Sequence, residues 1–201
     1  MAELRIEGTP YPLLRHLTLP VCAVTTSADG RRNGFIVNSA QRASLVPSIP
    51  RISLYISKPN VSHDIVMASG VFTVHLLGSD QWDVIRALGL RSARDVKDKL
   101  EGLDVRKGVT GCPVLEDVRA AFECRVINTM DTGAATFVLG DVVSMREGSE
   151  GEVMTSSHFR RYMPDDIRRD YEAGLAVAMG ILEPMSRPID AGGWSGPTTQ
   201  P

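Results

Sequence analysis

FIVNSAQRASLVPSIPRISLYISK, residues 35–58, carries two apolar runs separated by a polar interval. Phe35-Ile36-Val37 and Ile52-Ser53-Leu54-Tyr55-Ile56 read as strands, because β-branched and aromatic side chains suit a pleated, buried surface. The residues between them, Asn38, Ser39, Gln41, Arg42 and Ser44, are too polar for a plain barrel wall. The pattern points to something polar lying against them.

Working outward, the upstream run LPVCAVTTS reads as a buried strand, and Asp29-Gly30 in ADGRRNG is a turn pair that makes a hairpin into FIVN. A short apolar helix is expected before it, at Tyr11 to His16. Downstream, RISLYIS ends at Lys58-Pro59-Asn60, where Pro59 cannot donate to a ladder. A helix should follow, with Ser62 as N-cap, Asp64 at its positive end and Gly70 as its stop. VFTVHLL then alternates with the two-residue period of a strand that has one wetter face. Residues 79–101 read as helical, with Trp82, Ile85 and Leu88 about a turn apart. RAAFECRVINTM and ATFVLGDVVSM flank Asp131-Thr132-Gly133 as a long hairpin. Pro164 and Asp165-Asp166 open a last helix carrying Ile167, Tyr171, Leu175 and Met179, and DAGGWSGPTTQP reads as a loosely ordered tail. Six or so strands, hairpin-linked at the start and the end, predict a mainly β fold, a closed or partly closed antiparallel barrel with flanking helices.

A chain of 201 residues suits one domain with a sizeable core. With 23% charged residues and a net charge of −2, it has no long-range pull on nucleic acid or an anionic membrane. Cys22, Cys112 and Cys124 are odd in number, lack CxxC spacing and sit in or beside apolar runs, which predicts buried free thiols. MAELRIEGTP has no basic-then-apolar leader, and no apolar run reaches the ~18 residues of a membrane span. A cytoplasmic location is expected.

The chain contains no GxxxxGK[ST], no GxGxxG after a strand, no HExxH and no GxSxG. Its four histidines, at 16, 63, 75 and 158, share no ligand spacing, so no metal site is expected. The positive signal is an anion site. Lys58 closes a strand, and Ser62 begins a helix whose free N–H groups and dipole favour a phosphate. The alternative is an ordinary strand-loop-helix link with a solvated lysine. Nearby, Asn38, Ser39 and Ser44 would meet a ribityl chain or the polar edge of a heterocycle, while Ile36, Val37 and Ile56 cover its flat face. The alternative there is a bulge with a solvated turn.

Residues Pro20 to Thr26, Gly34 to Leu45 followed by Pro47, Ser62-His63-Asp64 and Ser69-Gly70-Val71-Phe72 occur in the order of the opening half of the flavin reductase family. That family's pattern runs PVxVVTT, GMTVSSFTSVSLxPP, THD before a helix, then SGxFxVNVL. TFVLGDVVSM is similar to its TIFIGEVVEV strand, and His158-Phe159-Arg160-Arg161-Tyr162 to its terminal HRGxY. The resemblance covers residues 10–163 and leaves 164–201 as a C-terminal helix and tail, where Trp194 lies.

The resemblance implies an FMN-binding split barrel, usually a homodimer, that reduces FMN or FAD with NADH or NADPH and often supplies a monooxygenase. Carried over, Val37, Asn38, Ser39 and Ala40 would meet the isoalloxazine and ribityl groups. Ser57, Lys58, Ser62 and His63 would surround the phosphate, and His158 and Tyr162 would lie on the nicotinamide side. Two departures bear on the nicotinamide step more than on flavin binding. The Gly-Asp-His usual at the late hairpin is replaced by Asp131-Thr132-Gly133-Ala134-Ala135, and SFTS by Ser39-Ala40-Gln41-Arg42. Two further readings stay open, a flavin-binding electron carrier and a cofactor-free interaction barrel. The C-terminal helix is expected to serve dimer packing.

Overall fold

A computed structural model describes residue 17 and residues 19–190; the expected helix at Tyr11 to His16 and the tail with Trp194 lie outside the described residues. The first hairpin joins β1 (Cys22–Ala28) to β2 (Arg31–Val37). Its turn residues Asp29 and Gly30 have φ of 49° and 76°, the left-handed pair whose twist matches that of the strands. Next come β3 (Gln41–Arg42), β4 (Arg51–Ser57), α1 (Val61–Ser69) and β5 (Val71–Leu76). After α2 (Trp82–Gly89), the short β6 (Val105–Lys107) and β7 (Pro113–Leu115) pair only with each other. The long hairpin of β8 (Ala120–Asp131) and β9 (Ala135–Glu147) follows, then α3 (Ser156–Tyr162) and α4 (Asp165–Met185).

Seven strands form one antiparallel sheet in the order β2-β1-β5-β8-β9-β4-β3. Laid flat, such a sheet would be about 29 Å across, at roughly 4.8 Å per strand. Yet its two edge strands are consecutive in the chain, and Val37 to Gln41 can reach at most about 14 Å. The sheet therefore has to curl until its edges nearly meet. Its interior confirms this, since Phe35 of β2, Cys22 and Val24 of β1, Phe72 of β5, Val138 of β9 and Leu54 of β4 share one buried cluster. No ladder joins β2 to β3, so the expected split barrel is the architecture. A second core lies outside the barrel, where Leu77, Val84, Ile85 and Leu88 pack with Leu100, Val114, Met154 and Ile167.

Three local expectations fail for identifiable reasons. The helix expected over residues 79–101 stops at Gly89, because Ser92 and Asp98 side chains accept the amides of Arg94 and Leu100 and so compete with helical bonding. Ser62 is not the cap of α1; Asn60 holds that position and Ser62 lies inside the first turn, buried. The wetter face of β5 is dry. Thr73 and His75 are fully buried under the β6–β7 segment, where Leu115 N–H donates to His75 Nε2 at 3.1 Å. That contact leaves Nδ1 as the donor to the Ala23 carbonyl at 3.2 Å, which fixes a neutral tautomer. All three cysteines are buried free thiols, and burial pushes the Cys22 thiol up to about 12.

Burial lowers the His75 pKa to about 4, against about 6.5 in an unfolded chain. Between those values the unfolded chain holds a proton that the native state lacks, so stability is full above pH 6.5 and declines toward pH 4. The decline should amount to about 3 kcal/mol. Urea unfolding at pH 7 and pH 4.5 measures it, and His75→Gln should flatten the dependence. Packing is equally exacting at Gly140, where an added β-carbon would stand 2.8 Å from the ring of the fully buried Phe72. Gly140→Ala should cost about 1–3 kcal/mol of unfolding free energy.

Candidate functional site

The crossover from β2 to β3 is the segment the sequence marked as polar. Val37 is half-buried, Asn38 exposed, Ser39 half-buried and Ala40 buried. Ser39 Oγ accepts the Tyr55 amide at 3.1 Å, which lays the crossover alongside β4 and extends the pairing of Gln41 with Ser53. Below it opens a cavity of about 470 Å³ at the barrel mouth. Its floor is apolar, with Cys22, Ile52, Val74 and Phe122, and its rim carries Gln41, Arg42 and Ser44. Of the four wall residues, Ala40 lines this cavity and Val37, Asn38 and Ser39 do not.

β4 ends at Ser57, opposite Ala135 at the start of β9. Lys58 follows it, and the Lys58 amide donates to the Ala134 carbonyl at 3.0 Å. The Lys58 side chain turns to the β8–β9 turn, where Nζ donates to Asp131 Oδ1 at 2.7 Å. The same oxygen accepts the Gly133 amide at 2.8 Å, and Oδ2 accepts the Asp190 amide at 2.8 Å. These donors, Lys58 foremost, hold the Asp131 carboxyl down at about 2, so it is anionic at any ordinary pH. The charge of Lys58 is thus already matched, a pairing that strand periodicity could not reveal across 73 residues of sequence. His63 also turns to β9, with Nε2 sharing a hydrogen bond with Thr136 Oγ1 at 2.8 Å.

Ser62 faces elsewhere. Together with Asn60 and Val61 it lines a second cavity, of about 360 Å³, whose other wall carries Arg91, Arg94 and Lys99. Sequence reading missed these three cations, having placed that stretch on a helix. The excess of positive charge in RSARDVKDK was the available signal.

His158 and Tyr162 lie on α3 with ring centroids 4.7 Å apart, and His158 stacks with Trp82 of α2 at 6.2 Å. The structure therefore gathers the expected residues into separate groups: the crossover, the Lys58–Asp131 turn with His63, the cavity at Ser62, and the α2–α3 corner. Among the described residues, no cluster of three His, Cys, Asp or Glu could hold a metal ion, and no helix is long and apolar enough to cross a membrane.

Residues 14–164 match the family model described as "Flavin reductase like domain". A probable flavin reductase of Rhizobium meliloti is 32% identical over 125 residues, which make up 62% of this chain and 38% of that protein. The chain thus aligns with well under half the length of that relative. Two solved structures share the fold at higher coverage. An NADH:FAD oxidoreductase of Streptomyces globisporus superposes with a TM-score of 0.66 and 25% identity, covering 77% of this chain and 93% of that one. Nitrilotriacetate monooxygenase component B of Mycobacterium thermoresistibile gives 0.61 and 27%, covering 71% and 82%. With three quarters of its length matched by the family model, the chain belongs to the flavin reductase like domain family.

Proposed function

We propose that the protein is an NAD(P)H-dependent flavin reductase that takes up FMN or FAD at the split of the barrel. One observation carries this reading: no ladder joins β2 to β3, and the crossover between them spans that seam, with Ser39 Oγ accepting the Tyr55 amide of β4. An apolar floor with a polar rim of Gln41, Arg42 and Ser44 suits a flat heterocycle with polar edges. In this reading Val37 to Ala40 border the ring and ribityl chain, while Ser57, Lys58, Ser62 and His63 attend the phosphate end. When bound, flavin supplies a ring that accepts hydride from NADH or NADPH at N5. The protein's own work is to exclude water and to hold the nicotinamide against that ring. His158 and Tyr162 are proposed for the nicotinamide side, supported by an aromatic row in which His158 stacks on Trp82 and its ring meets that of Tyr162.

Reduced flavin is proposed to pass to a monooxygenase, as the name of the Mycobacterium neighbour suggests. The three reduced, buried thiols are compatible with a cytoplasmic setting. A homodimer is also proposed. Residues 173–182 of α4 contain no charged side chain, and Val177, Met179 and Ile181 are 65%, 56% and 49% exposed. A helix apolar on all sides calls for a partner surface.

Three measurements test these readings. Under anaerobic conditions, the purified protein should bleach the visible absorbance of added FMN or FAD when NADH or NADPH is supplied; silence with both donors would retire the reductase. Asp131→Asn frees the Lys58 charge and should tighten FMN about threefold while leaving riboflavin, which has no phosphate, unaffected. Equal effects on both flavins would remove Lys58 from the phosphate end. Val177→Glu should convert dimer to monomer in light scattering, and an unaltered mass would exclude α4 from the interface.

A further inference from the structure

α4 is held unevenly along its length. At its start Asp166 pairs with Arg86, Ile167 is fully buried in the second core, and Tyr171 meets the ring of Phe159 at 5.5 Å. Its last turn is weaker. Pro184 lies inside it and has no N–H to give the Gly180 carbonyl, so a helical hydrogen bond is missing there. Residues 186–190 follow, and every one of them is exposed. Two contacts with the β8–β9 turn, rather than burial, fasten this segment. The Asp190 amide donates to Asp131 Oδ2 at 2.8 Å, and the Ser186 carbonyl lies so near Gly133 that a β-carbon there would stand 2.6 Å from its oxygen. Asp131 gives its other oxygen to Lys58 Nζ at 2.7 Å. One carboxylate thus fastens both the segment and the lysine. A stretch with little burial behind a weakened turn opens locally far more often than the whole chain unfolds.

We propose that residues 184–190 are a flap, hinged at Pro184 and latched on Asp131 and Gly133, that sets how fast an anionic ligand reaches and leaves Lys58. That ligand's identity as FMN, with its phosphate at Lys58, rests on the flavin reductase reading; the hinge and the latch do not. A flap that touches the lysine's partner and not the ligand slows entry and exit by one factor, and leaves the affinity where it was. The flap lies beyond residues 14–164, the stretch matched by the family model.

Three variants test it. Asp190→Pro deletes the latching amide, Gly133→Ala wedges the turn away from Ser186, and Pro184→Ala restores the hinge's missing N–H. Stopped-flow fluorescence with FMN should show association and dissociation both about fivefold faster in the first two and both slower in the third, with Kd unchanged throughout. A segment that served packing alone would shift the unfolding temperature and leave these rates as they were. Acetylation of Lys58 by acetic anhydride, followed by mass spectrometry with the exposed Lys107 as reference, reads the flap without any flavin and should rank the variants in the same order. Unchanged FMN rates in all three variants overturn the flap. So does a Kd altered through one rate only, which would make the segment part of the binding surface. Should Gly133→Ala fail to fold, because its φ of 80° disfavours a β-carbon, Asp190→Pro and Pro184→Ala decide. A protein that reduces flavin at unchanged exchange rates keeps the reductase and loses the flap. One that binds no FMN, yet whose Lys58 is acetylated faster in the Asp190→Pro variant, keeps the flap and loses the reductase reading; unchanged acetylation there loses both.

Discussion

The architecture follows from a tether. Only Asn38, Ser39 and Ala40 separate the two edge strands of a seven-stranded sheet, so the sheet must bend round until those edges face each other. The bend creates an enclosed core, and the tether itself has to cross the open seam. A segment in that position cannot satisfy its polar groups through a ladder, and it is also too close to the core to be freely solvated. Its mixture of amide, hydroxyl and small apolar residues is what such a border requires, and it is also what a ligand with a flat face and polar edges can use.

Much of this was legible in the residues. The Asp29-Gly30 turn, the period-two runs and the Asp131-Thr132-Gly133 hairpin each depend on local backbone preference, and each formed where the pattern put it. Strand β4 begins and ends with the RISLYIS run. What could not be read was set by contacts distant in sequence. His75 looks like a solvated strand residue until Leu115 arrives from 40 positions away to occupy its ring nitrogen. Residues 90–101 read as a continuation of the helix marked by Trp82, Ile85 and Leu88, but Ser92 and Asp98 divert the backbone locally. The short β6 and β7 leave almost no periodic signal because three residues are too few to show one.

The candidate site was half legible for the same reason. Residue types reveal which side chains can bind an anion, whereas their pairing decides which remain available for it. Lys58, prominent in sequence, is engaged by Asp131, while Lys99, inconspicuous among the charges of RSARDVKDK, is buried with the Leu88 carbonyl and with no acid among the described residues. Electrostatic function thus depends less on the presence of a cation than on the absence of its neutraliser.

The turn between β8 and β9 carries one more implication. At Gly133, with φ of 80°, an added β-carbon would stand only 2.6 Å from the Ser186 carbonyl oxygen, and two residues earlier Asp131 receives the Asp190 amide. The hairpin tip and the segment behind α4 therefore fit each other backbone to backbone. In descendants of this chain the two cannot drift independently: a bulkier residue at the tip would evict the segment behind α4, whereas loss of that segment would remove the steric contact and leave the left-handed backbone still favouring glycine.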